Sequence, residues 1–216
     1  MLVKELLPLL EKTAQKKGDA RIVHHSSVIR HIFPIHTEGA NPLYYAKLGD
    51  PGSQGGNKFG MMKTGGPHNR YHQSKLANML FTSALQDKLL ASGSKVKALV
   101  AAPGLAATDI FGRSAALAET EGHHHLGFGG SMFMRFIRAY QMQSAVDGSV
   151  PLLTCMVLPT AESGQLYEPL NYPVGGRVHG PAIVSSWEPI CKAQDGKALL
   201  WAESEKAVGA FTIAEP

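Results

Sequence analysis

Cysteine is scarce in this chain: only Cys155 and Cys191 occur in 216 residues, far apart and outside any CxxC pair. A disulfide framework and a thiolate zinc site are therefore excluded as organising devices, and two reduced thiols in an intracellular protein are expected. Long apolar runs are also missing. No stretch approaches the roughly 20 apolar residues that a membrane-spanning helix needs, so no integral membrane span is expected. Charge is sparse at 18%, with a formal net charge of +4. The sequence pI near 9.0 would suit an anionic partner. However, Lys and Arg are scattered, and the densest cluster is Lys16-Lys17 with Lys12 a turn earlier, so no nucleic-acid interface is expected. The opening MLVKELLPLLEKTAQKKGD interrupts its leucines with Lys4, Glu5 and Glu11 and lacks a small-residue cleavage site. It reads as an amphipathic helix and not as a leader peptide.

What is present is an ordinary globular composition, 44% hydrophobic, enough for one domain with a core. Leu2, Leu6, Leu7, Leu9 and Leu10 recur at helical spacing until Gly18-Asp19, with Pro8 suggesting a kink or an early first turn. A β-prone run, RIVHHSS at 21–27, follows. Residues 28–66 show no period and many turn formers. Pro67 opens the strongest helix, predicted over 67–92 and closed by Gly93, and residues 95–101 form a strand ended by Pro103-Gly104. Segments at 132–140 and 144–158 read as helical, 165–167 as a final strand and 197–208 as a last amphipathic helix. Helix, strand, helix, strand is the alternation of an α/β fold.

The chemistry concentrates at Tyr71-His72-Gln73-Ser74-Lys75, where a phenol and an ammonium four residues apart share one helix face. A tyrosine with an ordinary pKa of about 10 is a poor proton donor or acceptor at neutral pH, and a neighbouring cation favours its phenolate. With six tyrosines in the chain, the bare YxxxK pattern carries little weight. Its surroundings add more. Ser26-Ser27 ends the strand upstream and Pro103-Gly104-Leu105-Ala106-Ala107-Thr108 follows the strand downstream. All three therefore converge on the carboxyl edge of a parallel sheet, where α/β proteins bind ligands.

Three of these stretches resemble one family. RIVHHSS at 21–27, YHQSKLANMLFTSAL at 71–85 and PGLAAT at 103–108 are similar to short-chain dehydrogenase/reductases, most closely the branch of retinol dehydrogenases and light-dependent protochlorophyllide reductases. LLWAESEKAVG at 199–209 matches that branch's C-terminal helix. The resemblance implies a Rossmann-like doubly wound parallel sheet and hydride transfer between NAD or NADP and a small hydrophobic aldehyde, ketone or alcohol; only the branch favours NADP. It implies Tyr71 as general acid/base, Lys75 beside it and on the nicotinamide ribose, and Ser27 polarising the substrate carbonyl. Pro103, Gly104 and Thr108 would border the nicotinamide amide and pyrophosphate. Ser26 reads as a strand-end hydroxyl satisfied by backbone. The family's common dimer surface uses the helices at 2–17 and 67–92, which leaves a homodimer open, although this branch often does without it.

One family element is lacking. The glycine loop that grips the pyrophosphate should precede the serines, and Gly127-Phe128-Gly129-Gly130 follows no strand and lies downstream of Tyr71. The expectation is a single truncated domain over 1–216, the C-terminal half of such a fold, with about four strands and their helices absent. The strand at 21–27 should then expose an unpaired edge, the helices an apolar face, and the isolated chain should bind NADPH poorly. The alternative is a non-catalytic remnant, or an incomplete gene model, acting only with a partner. His123-His124-His125 does not share a helix face and has no accompanying carboxylate or cysteine cluster, so it reads as a loop and no metal site is expected. Residues 111–140 would form a substrate lid, where Phe128, Met132, Phe133, Met134 and Phe136 suit an apolar substrate.

Overall fold

The computed structural model describes residues 2–27, 66–106, 142–170 and 180–213. The expectations for Thr108, for residues 28–65, for the histidine run 123–125 and for the lid segment 111–140 fall outside the described residues.

Helix α1 (Leu2–Lys17) runs through Pro8 and leads into strand β1 (Ala20–His25). The long helix α2 (Gly66–Ala91) precedes strand β2 (Val96–Ala101), which pairs with β1 in parallel from Ala20↔Val96 to His25↔Ala101. Two parallel strands joined by a helical crossover form the βαβ unit that the alternation of periods predicts. Helix α3 (Ala145–Val157) starts at Ser144, whose hydroxyl accepts from the Asp147 N–H at 3.0 Å. This N-cap satisfies one of the amides that a helix start leaves unbonded. Strand β3 (Leu166–Pro169) adds in parallel beside β2, and β4 (Ala182–Ser185) pairs with β3 antiparallel. A short helix α4 (Pro189–Lys192) and the C-terminal α5 (Gln194–Val208) complete the described chain.

The sheet is open, four-stranded and mostly parallel, in the order β1-β2-β3-β4. Helices cover both of its faces. Val96 and Ala98 of β2 pack with Leu7 and Ala14 of α1, Leu85 and Leu89 of α2 and Trp201 of α5. Val100 continues that face against Leu76, Met79 and Leu80 of α2 and Leu200 of α5. The alternate residues Leu99 and Ala101 point to the opposite face, against Cys155 of α3 and Tyr167 of β3. Because β2 is covered on both sides it is nearly all apolar, the pattern of a strand buried in a parallel sheet. Lys97 is the exception, and its ammonium leaves the core to reach the Ala161 carbonyl at 2.9 Å and Asp19 at 3.4 Å.

The fold is α/β as expected, with three corrections. The strand near 165–167 is not the last one, because β4 follows it. The sheet is not wholly parallel, because β4 runs against β3. The reason lies in β4 itself: Ile183 and Val184 are both exposed, so no inward–outward alternation marks the strand, and it is held by main-chain pairing. The last helix also begins at Gln194, not at Lys197. Among the described residues β1 lies at one edge of the sheet. Apolar side chains are exposed on α1 (Leu2, Leu6, Leu9) and on α3 (Val146, Leu153, Met156, Val157). No helix among the described residues is long and apolar enough to cross a membrane.

Candidate functional site

The carboxyl ends of β1 and β2 lie side by side, and α2 passes over them. Ser26 is fully buried where β1 ends, its N–H donating to the Ala101 carbonyl at 2.8 Å. Its hydroxyl donates to the Lys75 carbonyl at 3.1 Å, so the main chain satisfies it as the sequence suggests, and it pins α2 to the strand at Lys75. Ser27 follows directly and is half-buried.

Tyr71 and Lys75 share one face of α2, as their spacing requires, with the Lys75 ammonium 5.6 Å from the centre of the Tyr71 ring. The same ammonium lies 3.4 Å from the His25 carbonyl and 3.5 Å from His25 Nδ1. Burial holds the Lys75 pKa below that of a free lysine. The His25 ring, which has lost part of its hydration against α2, is likewise held below the usual histidine value, with the Lys75 charge adding to the effect.

Further along the helix, Asn78 Nδ2 donates to the His25 carbonyl at 2.9 Å. Thr82 Oγ1 lies 2.9 Å from His24 Nδ1 and donates to the Asn78 carbonyl at 2.7 Å. Because the hydroxyl proton of Thr82 is directed to Asn78, the His24 ring donates through Nδ1–H. Tyr71, Lys75, Asn78 and Thr82 thus form one polar stripe, spaced four, three and four residues apart, along the end of β1. Sequence reasoning found the first two members and missed Asn78, Thr82, His24 and His25. The spacing i, i+4, i+7, i+11 of these polar residues along one helix was the signal available for it.

After β2, the Ala102 N–H donates to the Tyr167 carbonyl at 2.9 Å and Pro103-Gly104 turns the chain away. Gly104 is buried with φ of 77°, a conformation that a residue with a Cβ rarely adopts. Gln143 closes this turn: its N–H donates to the Leu105 carbonyl at 2.9 Å and its side-chain amide donates to the Pro103 carbonyl. Gly148 lets α3 approach, since a Cβ there would stand 2.7 Å from that of Ala106. Pro103 and Gly104 therefore sit at the carboxyl edge beside the serine pair, whereas Thr108 is outside the described residues. Neither cysteine belongs to this edge as a nucleophile. Both are buried, and burial pushes the Cys155 thiol up to about 12.

No protein-family model matches the chain, and no curated protein matches it. In fold it is similar to a crystal structure of an uncharacterized protein from Mycobacterium paratuberculosis, with a TM-score of 0.57 and 24% identity. That match covers 98% of this chain and 56% of the other, so the chain spans little more than half the length of that protein.

Proposed function

We propose that this chain carries the substrate-facing part of a short-chain dehydrogenase/reductase type oxidoreductase, acting on a hydrophobic aldehyde, ketone or alcohol. The observation that supports it most is the Tyr71–Lys75 pair on one face of α2, tied through the Ser26 hydroxyl to the end of the strand that leads into Ser27. An α/β sheet whose carboxyl edge gathers a phenol, an amine and hydroxyls is arranged for carbonyl chemistry.

The donor set suits one half of a nicotinamide dinucleotide. The half-buried Lys75 ammonium and the close turn at Gly104 fit a ribose hydroxyl and a flat carboxamide. No glycine loop of the pyrophosphate-gripping kind occurs among the described residues, so the fit reaches the nicotinamide end only. When bound, NADP or NAD would supply or accept the hydride. Tyr71 would pass a proton between its hydroxyl and the substrate oxygen, the Ser27 hydroxyl would hydrogen-bond that oxygen, and Lys75 would hold positive charge beside the phenol.

Two features favour a second reading, a partner-dependent chain without activity of its own. These are the edge position of β1 and the exposed leucines of α1. The sequence encoded upstream of Met1 separates the two. An in-frame TGxxxGIG-like segment there supports the enzyme, and its absence supports the second reading. In the protein read from the full transcript, Tyr71→Phe should lower kcat for a long-chain aldehyde by roughly 100- to 10,000-fold while NADPH binding is kept. A Tyr71→Phe variant within tenfold of the wild-type rate would remove the oxidoreductase reading.

A further inference from the structure

Lys75 is a half-buried amine that, among the described residues, has no carboxylate partner and finds its two hydrogen-bond acceptors on one amino acid, His25. A lysine ammonium carries three donors and loses hydration when it is drawn against a helix and a strand end, so its acceptors decide where it rests. One of them is the His25 carbonyl at 3.4 Å, which Asn78 already occupies at 2.9 Å. The other is the ring nitrogen Nδ1 at 3.5 Å, which can accept only while the imidazole is neutral and protonated at Nε2.

We propose that His25 is a positioning residue for Lys75, its neutral imidazole holding the amine at the carboxyl edge of the sheet beside Tyr71 and letting go when the ring takes up a proton. The relevance of this to catalysis rests on the oxidoreductase reading; the contact itself does not. A proton on Nδ1 removes the acceptor and sets two positive charges 3.5 Å apart, leaving Lys75, among the described residues, the shared main-chain oxygen. Among the described residues the groups facing His25 are few. From α2 come Lys75, with Tyr71 one turn before it, and the uncharged Asn78. On β2 the register partner is Ala101, and on β1 the adjacent His24 is turned to Thr82 and Phe81. Among the described residues Lys75 is the one charge that acts on the His25 ring.

The test is a pH titration of the histidine rings in the full chain by nitrogen-edited NMR, with His25→Asn assigning the signal. In the wild type the His25 ring should be in the Nε2–H form, with a midpoint below the ordinary 6.5. Lys75→Met should raise that midpoint by about half a pH unit or more, and Lys75→Arg, which keeps the cation, should hold it low. In the wild type the Lys75 Cε resonance should respond as His25 titrates. In His25→Asn, whose side-chain oxygen can still accept from the ammonium, that response should vanish. A His25 midpoint unmoved in Lys75→Met, or a ring in the Nδ1–H form, overturns the proposal. Absence of carbonyl reduction would fall on the oxidoreductase reading and leave these titrations as they are.

Discussion

Arg21 and Cys155, 134 residues apart in sequence, are joined by a 2.9 Å hydrogen bond from the Arg21 guanidinium to the Cys155 carbonyl. The same nitrogen reaches the Leu158 carbonyl at 2.9 Å, and Asp19 fixes the other side of the guanidinium at 2.9 and 3.1 Å. The final carbonyls of a helix lack main-chain donors and lie at its negative end, so a cation there both bonds them and opposes the helix dipole. One side chain thus locks α3 to the edge strand β1. The hydrogen bonds from Arg21 also hold the Asp19 carboxyl below its usual range.

Replacing Arg21 tests that lock. Arg21→Ala removes the donor to the Cys155 carbonyl and leaves Leu158 to the Ala161 N–H and Asp19 to Lys97, and it should lower stability by about 1–2 kcal/mol, read as a shift in the urea midpoint. Arg21→Lys keeps the charge but not the fork, and should recover only part of the loss. An alanine variant as stable as the wild type would show that α3 is held by its apolar contacts alone.

A second prediction concerns the opposite face of the sheet. Trp201 of α5 is stacked between Phe81 at 5.5 Å and Phe211 at 5.2 Å, with the Lys88 ammonium 4.6 Å from its ring. The stack ties the C-terminal segment to α2, which carries Tyr71 and Lys75. Trp201→Ala should therefore cost about 3–5 kcal/mol, and Trp201→Phe, which keeps an aromatic ring between its neighbours, should cost less. Equal losses for the two variants would mean that a phenyl ring recovers neither the volume nor the stacking, and that the tie between α5 and α2 does not rest on the aromatic stack.

The parts of the fold that were legible in the sequence are those whose local pattern and final environment agree. Residues 95–101 read as a strand, and the structure covers β2 (Val96–Ala101) on both faces, while α2 announces itself through Pro67 and the apolar or small residues Leu76, Met79, Leu80, Ser83 and Ala84, all of them buried. β4 was not legible, since its two branched residues face water and its pairing comes from β3. The start of α5 was obscured by Gly196, a weak helix former that lies buried in the first turn of the helix beside Leu80. At the candidate site, Tyr71 and Lys75 could be found because their relation is within one helix. The roles of His24 and His25 depend on which strand α2 is laid across, and no spacing along β1 encodes that.

His24 gives the sharpest pH prediction. Its ring stands edge-on to Phe81 at 5.3 Å, and burial brings its pKa down to about 4. The unfolded chain, with an ordinary value of 6.5, therefore binds more protons than the folded chain between about pH 6.5 and 4. Stability from the neutral ring is fully present above pH 6.5 and drains away as the pH falls towards 4, by an amount on the order of 2–3 kcal/mol. His24→Asn cannot titrate, so its stability should be flatter across that window, although lower at pH 7 because the Phe81 contact is lost. Urea unfolding of both proteins at pH 7.5 and about pH 4.5 decides the matter. Parallel losses in the two proteins would show that His24 does not carry the acid sensitivity of the fold.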